Sequence, residues 1–531
     1  MSGHAHEGNR LSRIWGRHFC LIGYLTLALP LSIWAQVIQP PVDSWTNTSG
    51  GEWETGANWS LGVPPGAGQS GVLITNVNSK TVTLSRITAL LPNTLTITNL
   101  TLTGASGATN TVSVNLGSLT PSLHILNGLT LGSGVTQMAV SNGTCLLRDL
   151  YVGQGYGSLG TFTLAGGTIN CGAALSSNIF IASLFNSTGA VWITGGQLIA
   201  TNSGETMYVG REGVGQMAVS NGSVSVHSTI VGFIDTGTLT LAGGSIGGDG
   251  PMVLGFGNTG TVWITGGQLL MPNATLTNAY GGAGNVVVSN GTAVVAEIYL
   301  GVSSNSVGTL TVAGGSVTVY DDLTAGNCGS NAIGSVLLSG GTVSITNVTH
   351  TAFIDMRDGT FTVNGGTLIA DTLVLTNSCG RFIHNGGTVN VASTDLSPNL
   401  SADGDGIPNG YKQQYGLDPF DPTLGSKDLD GTGFTVLQDY LAGVDPTNPA
   451  AAFRITSIAP TGNNLLITWR MGPGRTNALQ ATSGTTNGGY NTNGFADVFI
   501  VTNTVGTATN YLDTGAATNS SPRFYRVRLL P

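Results

Sequence analysis

Along most of this chain, apolar and hydroxyl side chains alternate in short runs that close on glycine. The segment Gly237 to Ile246, G-T-L-T-L-A-G-G-S-I, shows the unit. Alternation with a period of two predicts a strand with one face buried. The glycines that follow suit a tight corner with φ > 0. Between Asn142 and Gly387 the runs end eleven times in a doublet, Asn-Gly three times and Gly-Gly eight. The second glycines fall at 143, 167, 196, 222, 244, 267, 291, 315, 341, 366 and 387, a step of about 24 residues. A fixed period of this size predicts a stacked array.

A longer cycle lies inside the short one. The doublets rotate through V-S-N-G, L-A-G-G and I-T-G-G, and Trp192 and Trp263 recur in V-W-I-T-G-G-Q-L. The expected fold is all-β: a right-handed parallel β-helix (solenoid), then a short calcium-loop linker with a helix, then a small C-terminal β-sandwich. Thirteen coils at a rung spacing of about 4.8 Å predict a rod on the order of 60 Å long. In G-A-V-W-I-T the parity of Val191 and Ile193 turns Trp192 outward, and Trp263 likewise. Stacking on a glycan and packing under a surface loop are the two readings of these indoles.

Five regions follow. Residues 1–35 read as a signal peptide: Arg10, Arg13 and Arg17 precede the apolar run Phe19 to Trp34, with cleavage expected near Ala35-Gln36. Residues 36–75 form an entry segment, where Trp45, Trp53 and Trp59 either cap the first rung or form a carbohydrate-binding aromatic cluster. Residues 76–394 hold the repeats and 395–450 the linker, with a helix expected at Phe434 to Ala442. In 451–531 the runs F-R-I-T-S-I, N-L-L-I-T-W, D-V-F-I-V and R-F-Y-R-V-R-L predict the β-sandwich.

Charge changes the picture by exclusion. Charged residues make up 8% of the chain, and Lys80 is the only lysine before Lys412, so no basic patch exists for nucleic acid. Removing the leader leaves 14 basic and 25 acidic residues, and no other segment is long and apolar enough to span a membrane as a helix. The expected location is extracellular or at a bacterial cell surface. Cys328 and Cys379 share a phase but lie two repeats apart, roughly 9.6 Å at the rung spacing and beyond disulfide reach. Cys145 and Cys171 are out of phase, so all four cysteines after the leader are expected as buried small hydrophobes.

By its repeats and by the opening W-x(n)-N-W-S-x-G-x-P pattern, the stretch 45–391 resembles the autotransporter-associated β-strand repeat proteins of bacterial surfaces. The resemblance implies an exported, displayed β-helix passenger, although the chain ends in a small domain where such proteins carry a translocator barrel. The stretch 401–449 resembles the calcium loops of thrombospondin type 3 and dockerin-like modules. Calcium takes six to eight oxygens, supplied at loop positions 1, 3, 5, 7, 9 and 12 around a glycine at 6. Asp428, Asp430, Thr432, the Phe434 carbonyl and Asp439 match 1, 3, 5, 7 and 12, with Gly433 at 6 and Val436 at 9. Ser401, Asp403, Asp405, the Ile407 carbonyl and Asn409 match a first loop with Gly406 at 6, but Lys412 stands at 12, where it would repel a cation. One or two calcium ions are the expected cofactor.

Two function classes result. One is a secreted or surface structural, adhesin-like protein that binds or spaces, with an extracellular glycan or surface ligand as partner. The other is a polysaccharide-active lyase or glycosidase, whose paired carboxylates would be Glu297 and Asp321 in adjacent repeats. The same turn phase also holds Asp149, with Arg148, His227, Asp249 and Asp371 one position earlier. That recurrence favours a polar turn, so catalysis is not expected.

Overall fold

A computed structural model describes residues 40–531 apart from 106, 119–121, 173–176, 486, 503–505 and 520. The expected signal peptide, 1–35, lies outside the described residues. The repeats form a parallel β-solenoid of three ladders. Strands after each doublet make the first ladder, as in Gln197–Ala200 beside Ser223–Val226. The second ladder follows within the same coil, as in Thr206–Val209 beside Ser228–Val231. The runs that lead into the next doublet make the third, as in Thr188–Ile193 beside Val214–Val219. Long strands such as Thr144–Val152 pass through the first two ladders unbroken. These ladders therefore merge into one 22-stranded sheet, while the third is a separate 14-stranded sheet.

Register explains the alternation. In Thr188–Ile193 the alternate residues Gly189, Val191 and Ile193 are buried and Trp192 faces out. Val191 stacks between Phe162 and Met217 of the neighbouring rungs, so each inward column is a continuous apolar core. At the corners backbone packs on backbone. Ten of the eleven second doublet glycines have positive φ, Gly267 being the exception. A Cβ on Gly167 (φ +76°) would meet the Gly143 carbonyl oxygen at 2.2 Å. A second glycine column opens the third ladder through Gly160, Gly189, Gly215, Gly237, Gly260 and Gly284. There φ is ordinary and the constraint is space: a Cβ on Gly260 would sit 2.1 Å from the Val231 carbonyl oxygen.

Both ends of the solenoid are covered. Trp45, Trp53 and Trp59 are buried at the first rung, Trp59 meeting the other two edge to face with ring centroids 5.0 Å apart. Their indole N–H groups donate to the carbonyls of Ser49, Thr94 and Trp53. Buried rings cannot offer a face to sugar, so these three tryptophans close the core. At the other end, the amides of Phe382 and His384 on the last strand of the third ladder donate to the carbonyls of Ala402 and Phe420. Phe420 packs edge to face on Phe382 at 4.9 Å. The 395–450 segment thus begins as a lid on the last rung. It holds two short helices, Asn409–Gln414, which the sequence did not suggest, and Val436–Ala442, which it did. The C-terminal region forms two three-stranded antiparallel sheets around Ile467, Trp469, Met471 and Leu479.

One expectation fails. Cys328 and Cys379 form a disulfide with Cα atoms 5.8 Å apart. Phase counting placed Cys328 on its own rung, but it lies in an excursion closed by an antiparallel bridge between Asn327 and Ala332. At its base, as at the equivalent Gly301, the corner packs on the next rung: a Cβ on Gly326 would sit 2.1 Å from the Asp358 carbonyl oxygen. Asp358 pairs in turn with Cys379, so the loop covers the missing distance. Cys145 and Cys171 are free and buried as expected. Burial pushes the Cys145 thiol up to about 12 and the Cys171 thiol up as well. Alkylation under denaturing, non-reducing conditions is therefore expected to label two of the four cysteines beyond residue 35. Cys328→Ser should cost about 4 kcal/mol of stability through the freed 51-residue loop. Labelling of all four would contradict the bridge.

Candidate functional site

Three places concentrate chemistry, and the calcium-loop pair comes first. In the first loop the Ser401 hydroxyl lies 3.0 Å from Asp403 Oδ1 and from Asp405 Oδ1. The Ile407 amide donates to Asp405 at 2.8 Å. Asn409 turns away from the loop centre, accepting from the Ala402 amide and donating to the Ser397 carbonyl. The centre is taken by Lys412, whose Nζ lies 2.6 Å from Asp403 Oδ2 and 2.9 Å from Asp405 Oδ2. The lysine side chain is fully buried. The residue that looked repulsive to a cation is the loop's own cation, delivered from helix Asn409–Gln414.

The second loop is built differently. Asp428 accepts from the amides of Gly431 and Gly433, both 2.8 Å away, and Thr432 Oγ1 donates to Asp430 at 2.8 Å. Helix Val436–Ala442 carries Asp439 and starts at a capping box between Thr435 and Gln438. Asp439 is only 2% exposed, and its Oδ2 has no hydrogen-bond partner; Asp430 Oδ2 also has none. Burial, and then the charges of Asp430, Asp428 and Asp445, raise the Asp439 carboxyl to about 6. Among the described residues no three His, Cys, Asp or Glu side chains converge closely enough to hold a metal alone. An ion here would draw on the Thr432 hydroxyl and the Phe434 carbonyl as well. Asp439 also borders a cavity of about 240 Å³ against Phe453, Val527 and Leu529 of the β-sandwich.

The carboxylates of the enzyme reading come second. Val319 pairs with Val295 but Leu323 with Ile298, so one extra residue is accommodated between them. This bulge sets both Asp321 and Asp322 against Glu297. Asp321 is exposed and Asp322 is 9% exposed. Burial, then the Glu297 charge, lifts Asp322 to about 6. Tyr299 hydrogen-bonds to both Glu297 and Asp322, and Thr275 donates to Glu297 at 2.9 Å. Sequence counting favoured Asp321 because it ignored the bulge. The carboxylate whose proton affinity the fold alters is Asp322, and it is shielded.

The third place is aromatic. Trp192 and Trp263 face out from the third ladder, 36% and 42% exposed. A run of six rings, Tyr151, Phe180, Tyr208, Phe233, Phe256 and Tyr280, packs rung on rung at 5.0–5.6 Å, edge to face between Tyr208 and Phe233, with Arg211 over Phe180 at 4.7 Å. The recurrent Tyr-Val-Gly of Tyr151 and Tyr208 was its sequence signal. Its later members stand in the turns, two residues beyond the strands, where a phase count does not find them.

No family model matches this chain, and comparison with curated proteins and with solved structures returns no match.

Removing the internal cation of the first loop tests its role. Lys412→Met would leave two buried carboxylates without a counter-charge, which is expected to cost about 3–5 kcal/mol in urea unfolding. A change below about 0.5 kcal/mol would contradict the assignment.

Proposed function

We propose that the chain is a secreted or cell-surface structural protein, adhesin-like, that acts by binding or spacing. Its solenoid is the rod, and the 395–450 segment is a calcium-stabilised joint to the terminal β-sandwich. The observation that carries the reading is the continuous third ladder from Lys80–Leu84 to Cys379–His384, whose pairing shifts only at its Val114–Asn115 step. Every rung presents equivalent positions, as suits repeated contact along a length. A disulfide fits an oxidising compartment, and among the described residues no helix is long and apolar enough to cross a membrane. The rival polysaccharide-active reading rests on Glu297 with Asp321; the carboxyl raised beside Glu297 is instead Asp322, which is shielded.

Calcium enters through the second loop alone. Bound there, it would neutralise Asp428, Asp430 and Asp439, relieving the buried carboxylate oxygen that has no partner. The first loop has no need of it, since Lys412 neutralises Asp403 and Asp405. Because Asp439 borders the contact with the sandwich, an ion would stiffen that contact.

Calorimetric titration of the purified protein with calcium is expected to give one ion per chain. The melting temperature should rise, with about 2.7 kcal/mol of added stability at a hundredfold excess over Kd. Asp439→Asn should abolish both effects. Absence of heat and of any melting shift at millimolar calcium would remove the ion from the account.

A further inference from the structure

The outer face of the third ladder is free of charge over eleven consecutive strands, from Lys80–Leu84 to Ile333–Leu338. Its central column reads Gln137, Thr161, Ala190, Gln216, Thr238 and Thr261, then continues through Asn285 and Thr309 to Ser335. Lys80 itself is buried, with its ammonium on the Asn78 carbonyl. The first charges lie beyond the face at either end, at Glu52 and at Asp358. The other two ladders differ: they carry Arg148, Asp149, Glu297, Asp322, Asp355 and Asp371. In a chain of net charge −9, this partition leaves one long face neutral.

The column beside the centre holds the two indoles. Trp192 is followed along the rungs by Ala218, Thr240 and then Trp263. Three steps at about 4.8 Å separate the indoles by roughly 14 Å. The residues between them are small, so the rings stand above a shallow saddle rather than filling it. Neither indole has an aromatic partner among the described residues. A surface of exposed aromatic faces, hydroxyls and amides, without ions, complements a ligand that has CH faces and hydroxyls and no charge. Phosphate or carboxylate polymers would find no cation on it.

We propose that this face docks an extended, uncharged polysaccharide along the rod axis, with Trp192 and Trp263 stacked on its sugar rings. Thr161, Gln216, Thr238 and Thr261 would exchange hydrogen bonds with its hydroxyls. The proposal rests on the binding reading above and names the ligand class.

Co-sedimentation of the purified protein with insoluble cellulose, chitin, β-1,3-glucan and mannan tests it, with alginate gel as the anionic comparison. Retention by at least one neutral polymer is expected, unchanged between about 0.05 and 0.5 M salt because no ion pairs form. The double variant Trp192→Ala/Trp263→Ala should weaken binding at least about tenfold. Thr238→Lys, which places a charge on the central column, should weaken it too. All three substituted residues lie on the outer face, and unchanged circular dichroism would show that the fold survives. Retention by alginate alone, or by none of the neutral polymers, would overturn the proposal. So would self-association lost in the double variant, which would give the face to a second copy of the chain. Binding that survives the double variant would keep the binding reading and remove this face. Calcium binding is read separately, so failure here leaves the joint standing.

Discussion

Backbone packed directly on backbone at the solenoid corners is the constraint on which everything else depends. Each rung must turn without a side chain between itself and the rung below. A Cβ on Gly167 or on Gly260 would approach a neighbouring carbonyl oxygen to 2.2 or 2.1 Å. With those corners held, the rungs stay stacked along the whole array, and register slips such as that between Leu147 and Asp149 remain local. Inward positions then become continuous apolar columns, and outward positions become surfaces of chosen chemistry. The low charge content follows from the same constraint, because like side chains stack about 4.8 Å apart along every column. A column of like charges would repel at that distance, whereas a column of threonines does not.

An array of this kind must close its ends, and the two ends use different means. Three tryptophans pack edge to face over the first rung and satisfy their indole N–H groups locally. The last rung of the third ladder is met by Ala402 and Phe420 from the acidic segment. That segment carries a loop closed by its own lysine and a loop in which the buried Asp439 Oδ2 has no hydrogen-bond partner. The first arrangement neutralises two buried carboxylates within the lid itself. The second borders the contact with the β-sandwich through Asp439.

Much of this was legible in the sequence because repetition amplifies weak signals. Glycine doublets, alternating threonines and the parity of Val191 and Ile193 gave the solenoid and the outward tryptophans. What stayed hidden were departures from the period. The Cys328–Cys379 bridge depends on an excursion at residues 326–332 that phase counting treats as part of a rung. The pairing of Glu297 with a shielded Asp322 depends on a one-residue slip. Lys412 looked like a defect in a calcium loop, since sequence position does not show that an ammonium can reach two buried carboxylates. The second glycine column went unread because its constraint is a distance to another rung, not a backbone angle.

Amide hydrogen exchange, followed peptide by peptide with and without calcium, tests the central claim most directly. The account predicts strong, uniform protection of ladder amides from 144 to 384 that calcium does not change. Calcium should slow exchange only around 428–445 and in the sandwich segments that adjoin it. Rapid exchange through the ladders, or protection of the whole rod that appears only with calcium, would contradict it.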